Sequence, residues 1–329
     1  MPPVARRRLL ALGAALGASV LARPSAAQSA WPSRPVKLIM PFAPGGGPDL
    51  MARKVAPELA RPLGQNVLVE NRVGAAGVIA GEVAALMPPD GYNVLIGGAQ
   101  FLIHKAIRPA VKFDPLTSFD SVTMTETSGT VLVVPVDAPY RSAQELVAAI
   151  RARPGGFNYG SGGVGTAAHL AGGAFCKVLG LDAVHVPYRG SVEIVPGLMG
   201  GQIQFALPIA GTAMAGIRQG RVRALAVSNA ARIAPLPEAP TLRELFGSEL
   251  LVQESWSCLW VPAGTPRDLI AKLFDAAQIA YASAAVREHA DQSGTTVRLS
   301  KSPAELTEHT RAESAKWARV VELIGLREA

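Results

Sequence analysis

Three times the chain runs from a short apolar stretch into a glycine-rich loop and directly on into a helical pattern, and this unit constrains the fold more than any other feature. The first loop follows Val36 to Met40 and reads Pro41-Phe42-Ala43-Pro44-Gly45-Gly46-Gly47-Pro48-Asp49, with a helical pattern from Leu50 to Leu63 behind it. The second, Asn158-Tyr159-Gly160-Ser161-Gly162-Gly163-Val164-Gly165-Thr166, leads into a helix from Ala167 to Leu179. A third and weaker one, Asn71-Arg72-Val73-Gly74-Ala75-Ala76-Gly77, lies between the Val67 to Glu70 run and a helix from Val78 to Met87. Glycines here permit positive φ and let a ligand approach bare N–H groups, and each following helix aims its positive end at its loop. In open α/β sheets such loops fall at the carboxyl ends of strands, where ligands bind. One loop alone reads first as a tight turn with Asp49 capping its helix. Repetition makes the set a candidate anion site.

Strand and helix patterns alternate through the body. Asn93 to Ile96, Val131 to Val134, Ala183 to Val186, Ile203 to Leu207 and Val222 to Val227 read as strands, with a helix over Ser142 to Ala152. Such alternation predicts parallel sheets with helices on both faces. Near the end, Thr265-Pro266-Arg267-Asp268 and Ser302-Pro303-Ala304-Glu305 each predict a hydroxyl N-cap, proline at N1 and an acid at N3. Trp317, Val320, Val321 and Ile324 form one apolar helical face closed by Gly325, so Trp317 reads as core.

At the start, Arg6-Arg7-Arg8, an uncharged run from Leu9 to Leu21 and the small residues Ser25-Ala26-Ala27 form a signal peptide, residues 1–27. Export to the periplasm follows, by an ordinary secretory or a twin-arginine route. Cleavage removes Arg6, Arg7, Arg8 and Arg23 and no acid, lowering the formal charge by four, from +7 to +3. No lysine or arginine run is interleaved with aromatics, so nucleic acid is not an expected partner. The roughly 300 remaining residues suffice for two domains. Cys176 and Cys258 sit in unlike local settings and read as separate buried thiols; a disulfide has no support.

The motifs also match a family in order along nearly the whole exported chain. They are Pro41-Phe42-x-Pro44-Gly45-Gly46-x-x-Asp49-x-x-Ala52-Arg53, Glu70-Asn71-Arg72-x-Gly74-x-x-Gly77, Tyr159-Gly160-Ser161-x-Gly163-x-Gly165-Thr166-x-x-His169-Leu170, Val186-Pro187-Tyr188-Arg189-Gly190, Gly200-Gly201-Gln202, Leu225-Ala226-Val227, Pro240-Thr241 and Pro262-Ala263-Gly264-Thr265-Pro266. Together they resemble the Bug (TctC-like) extracytoplasmic solute-binding receptors of tripartite tricarboxylate transporters. The resemblance implies an α/β, type II periplasmic-binding-protein fold: two α/β domains, a hinge crossed twice and a ligand cleft between them. Domain I would comprise 28–128 plus 253–329, and domain II 129–252. It also implies a monomer without catalysis or cofactor, closing on a small organic carboxylate for membrane subunits of a transporter or for a membrane sensor. The residues it assigns to ligand binding are Phe42, Pro44, Gly45, Gly46, Asp49, Gly74, Ala76 and Gly77 on domain I, and Ser161, Gly163, Thr166, His169, Tyr188 and Gln204 on domain II. Phe42 and Tyr188 read equally as ordinary core.

Two departures bear on the ligand. Where members often carry an acid after His169-Leu170, this chain has Gly172-Gly173-Ala174. Where they commonly have Asp, it has Gln204, which suits an amino acid's ammonium poorly, so a zwitterion is not expected. Gln204 turned away as a structural residue is the equal alternative.

Enzyme readings are weaker. Gly160-x-Gly162-x-x-Gly165 fits a dinucleotide fingerprint, which keeps an exported NAD(P)-dependent oxidoreductase as the alternative, but the acid at the end of the next strand is missing. Gly165-Thr166-Ala167 offers no phosphate-binding lysine. Ser161 has Tyr159 where a nucleophile elbow needs glycine. His104, His169, His185, His289 and His309 show no paired metal spacing.

Overall fold

The structure, a computed structural model, describes residues 31–326; the expected signal peptide, residues 1–27, lies outside them. The strands are β1 (Val36–Met40), β2 (Val67–Asn71), β3 (Asn93–Gly98), β4 (Phe119–Gly129), β5 (Val131–Pro135), β6 (Asn158–Ser161), β7 (Val184–Pro187), β8 (Phe205–Ala206), β9 (Val222–Val227), β10 (Glu254–Pro262) and β11 (Thr296–Val297). They form a six-stranded sheet, β11-β4-β10-β3-β1-β2, and a five-stranded sheet, β7-β6-β8-β5-β9. Each sheet with its helices makes one α/β lobe.

The sheets are mixed rather than parallel. β1 pairs β2 and β3 in parallel through helical crossovers, but β10 runs antiparallel to β3 and β4, and β5 antiparallel to β8 and β9. The reversed strands are those next to the places where the chain changes lobe. It leaves the first sheet at Gly129, enters the second at Val131, leaves at Val227 and returns at Glu254, which pairs with Gly129. β4 is an eleven-residue strand with no clear apolar alternation, so no local pattern marks it as a strand.

Each lobe buries its own core. Phe101, Phe119, Trp260 and Trp317 anchor the first, with the Phe119 and Trp260 rings stacked 5.6 Å apart. Phe157, Phe175 and Phe205 anchor the second. Burying each such side chain contributes roughly 1.5–3 kcal/mol. Cys176 and Cys258 are free and buried, their thiols pushed up by burial, Cys176 to about 12. Among the described residues no single helix is long and apolar enough to cross a membrane.

The helix starts differ in one case from expectation. Ser302 caps the Pro303–Leu323 helix, accepting the Glu305 N–H at 3.2 Å with Pro303 at N1. Thr265 caps nothing: its hydroxyl donates to Pro262 O at 2.7 Å, closing the turn after β10, and the Arg267–Ala282 helix starts behind Pro266, whose ψ of 136° is extended.

Candidate functional site

The loop after β1 is held from within its own helix. Gly46 is the N-cap of the Gly47–Leu63 helix, and Asp49, three residues in, reaches back to accept the Gly45 N–H at 2.9 Å. Arg53 grips the same carboxylate with Nε at 2.8 Å and Nη2 at 3.0 Å, and Asn71 Nδ2 donates to it at 2.8 Å and to Phe42 O at 2.9 Å. Burial works to raise the Asp49 pKa, but the hydrogen bonds from Arg53, Asn71 and Gly45 outweigh it and hold the carboxyl below the usual range.

The loop after β2 is strained. Ala75 and Ala76 take φ of 46° and 53°, rare for residues with a Cβ. His104 Nε2 lies 3.0 Å from Ala76 O and fixes that carbonyl. In the loop after β6, Thr166 caps the Ala167–Leu179 helix, and Ser161, fully buried, donates to Gly163 O at 3.0 Å and meets His185 Nε2 at 2.7 Å. His185 stacks on His169 at 3.7 Å, and His169 Nδ1 accepts the Gly165 N–H. Burial holds His104 down at about 4, His185 at about 4 and His169 at about 3, the last helped by His185, so all three are neutral near pH 7. Ser161 therefore has a histidine neighbour, but buried among loop carbonyls and without an acid behind the ring it braces the loop.

These loops converge on one cleft between the lobes. Its lining holds the starts of four α-helices: Gly47 and Pro48, Gln100, Thr166 to Ala168, and Gly211. First-turn N–H groups have no partners within their own helix, and their dipoles add to a positive local field. Ala76 and Ser191 contribute two further short helical turns, Arg189 an exposed guanidinium. Among the described residues, no three histidine, cysteine or acid side chains gather as a metal site.

Of the residues predicted from sequence, Phe42, Gly74, Ala76 and Thr166 line the cleft. Pro44, Gly45, Gly46, Asp49, Gly77, Ser161, Gly163 and His169 belong to the same loops but lie outside the lining. Gly46 and Gly163 stand at the seam, where added Cβ atoms would come 3.1 Å from Ser191 Oγ and 3.4 Å from Ala76 Cβ. Two residues point elsewhere. Gln204 is tied into the sheet, accepting the Asn158 N–H at 2.8 Å and donating to Gly201 O at 3.0 Å. Tyr188 packs over Gly197 and donates to Gln202 Oε1 at 3.0 Å. Gln204 therefore gives no ground for excluding a zwitterionic ligand.

The glycines that suggested other readings have packing explanations. A Cβ at Gly162 would lie 2.8 Å from Ser191 N, so the chain's own turn occupies the place beside the fingerprint. In the Gly172-Gly173-Ala174 segment, where the chain departs from the family pattern, a Cβ at Gly172 would meet the Tyr159 ring at 2.5 Å. Several lining residues carry no local sequence signature: Glu126 and Ser128 on β4, Ser255 and Ser257 on β10, and Thr295 beside β11.

Two α/β lobes facing each other across a cleft of helix N-termini, with the chain passing twice between them, define a type II periplasmic binding protein. The model of the tripartite tricarboxylate transporter family receptor, TctC, matches residues 51–326, and the chain belongs to that family. Protein BugT of Bordetella pertussis is 32% identical over 323 residues, 98% of each chain. The periplasmic binding protein BugD superposes with a TM-score of 0.85 at 28% identity over 91% of this chain and 100% of its own. Rpa4515 of R. palustris, solved with adipate, gives 0.85 at 29% identity over 90% and 98%. MatC of Rhodopseudomonas palustris, solved with bound malate, gives 0.82 at 27% over 88% and 100%. Proteins of this family are periplasmic solute-binding receptors, not enzymes.

Proposed function

We propose that this chain captures a small organic carboxylate in the cleft by closure of the two lobes and delivers it to the membrane subunits of a tripartite tricarboxylate transporter. The convergence of four α-helix starts on one cleft carries the reading, because unpaired N–H groups and helix dipoles hold an anion without a dedicated cation. The adipate and malate seen in two similar structures support the same ligand class. The receptor works in the periplasm, as a monomer, after loss of residues 1–27. Its moving bodies are 28–128 with 253–329, and 129–252, a division that the two sheets and their separate cores favour. In this assignment Phe42, Gly74, Ala76 and Thr166 touch the ligand. Pro44, Gly45, Gly46, Asp49, Gly77, Ser161, Gly163 and His169 hold the loops that do. The test is a thermal-shift screen of the purified protein against mono-, di- and tricarboxylates. A native-state ligand at about 100 times its Kd adds roughly 2.7 kcal/mol of stability; the absence of any shift with all three classes counts against the reading.

A further inference from the structure

Glu126 is the carboxyl side chain that lines the cleft. It stands on β4 opposite Ser257 of β10, is only 8% exposed, and its Oε2 is buried without a hydrogen-bond partner. The Ser257 hydroxyl bonds the carboxyl. Ser128, Ser255 and Thr295 line the same wall, and hydroxyls of this kind serve either as donors or as acceptors. An acceptor buried without a partner is costly in a folded protein and marks a place where something else completes the bonding. On the opposite lobe the cleft presents Arg189 and the starts of the Ala167–Leu179 and Ala210–Arg218 helices, all favourable to negative charge. The two walls are therefore unlike in what they attract.

Building on the carboxylate-receptor reading, we propose that Glu126 is a specificity-determining ligand contact, its free oxygen accepting a hydrogen bond from a hydroxyl or ammonium that the bound carboxylate carries away from its acid group. The ligand is thus an amino or hydroxy acid rather than a plain fatty acid or a simple dicarboxylate. Burial raises the Glu126 pKa to about 7, so the carboxyl is close to balance between its two forms and a donor beside it favours the ionised one. In its ionised form Glu126 offers a second ligand carboxylate only an acceptor and a like charge, whereas a hydroxyl or ammonium is bonded by it directly.

The test measures affinities by calorimetry for wild type and Glu126→Met, which removes the acceptor oxygens, with probes that differ only at the far end: butyrate, caproate and benzoate, each against its hydroxy, amino and carboxy derivatives. The wild type is expected to bind a hydroxy or amino probe about tenfold or more tighter than the plain and dicarboxylic acids of its series. Glu126→Met is expected to lose that preference. A wild-type preference for the plain or dicarboxylic acid overturns the proposal, as does a preference that survives in Glu126→Met, and either leaves the carboxylate receptor standing. Silence with every probe counts against the receptor reading itself, and the proposal falls with it. The wild-type ranking needs no variant and decides the matter if Glu126→Met does not fold.

Discussion

Gly47 and Gly211 meet backbone to backbone across the seam of the lobes: a Cβ on Gly47 would lie 3.1 Å from Gly211 Cα, and one on Gly211 would lie 3.2 Å from Gly47 Cα. Two helix starts come this close only because neither carries a side chain. Gly211→Val is expected to hold the lobes apart, weakening carboxylate binding about tenfold or more while the far-ultraviolet dichroism stays unchanged. Calorimetric titration of the variant decides it, and wild-type affinity would show that binding does not need this approach.

Ser228 ties together both passages between the lobes. Its buried hydroxyl accepts the Thr130 N–H at 2.8 Å and donates to Gln253 O at 2.6 Å. Ser228→Ala leaves both backbone groups short of a partner and is expected to cost about 1–3 kcal/mol. Urea unfolding measures the loss, and a midpoint equal to wild type would count against it.

Asp49 gathers Gly45, Arg53 and Asn71 around one carboxylate. With the carboxylate removed in Asp49→Ala, these donors lose their acceptor, and the loop that presents Phe42 loosens. The expected outcome is a loss of about 1–3 kcal/mol in thermal or urea unfolding together with weaker ligand binding. A fall in stability with unchanged affinity would separate the loop from the site.

Stability should rise from acid toward neutral pH. His104, His169 and His185 have folded-state pKa values of about 4, 3 and 4, below their ordinary 6.5. Each contributes stability that is fully present above 6.5 and is lost as pH falls toward the folded value. Glu126 acts oppositely: raised from 4.5 to about 7, it lowers stability as pH rises through that window. Three groups outweigh one, so the Tm is expected to be several degrees lower at about pH 5 than at about pH 7.5. A flat profile between these values would mean that the histidines are accessible to protons in the fold.

The parts of the fold that the sequence made legible were the local ones. The Ala167–Leu179 helix and the strands β1 and β9 run over the residues expected, and the Ser302 cap forms as read. Thr265 shows the limit of the same reasoning, since a hydroxyl before a proline also closes a turn and the chain used it that way. At the cleft, Phe42, Gly74, Ala76 and Thr166 reach the lining from glycine loops and a helix cap, features written in adjacent residues.

Sequence by itself determined the loops, the helix starts and the family motifs, since φ preferences, capping and helix dipoles act within a few residues. Tertiary structure alone decided which way Gln204 and Tyr188 turned and that Glu126 came to the cleft. Glu126 reaches the cleft wall because β4 pairs with β10, more than a hundred residues on, and strand pairing over that separation is fixed by how both sheets pack on their cores rather than by any neighbouring residue.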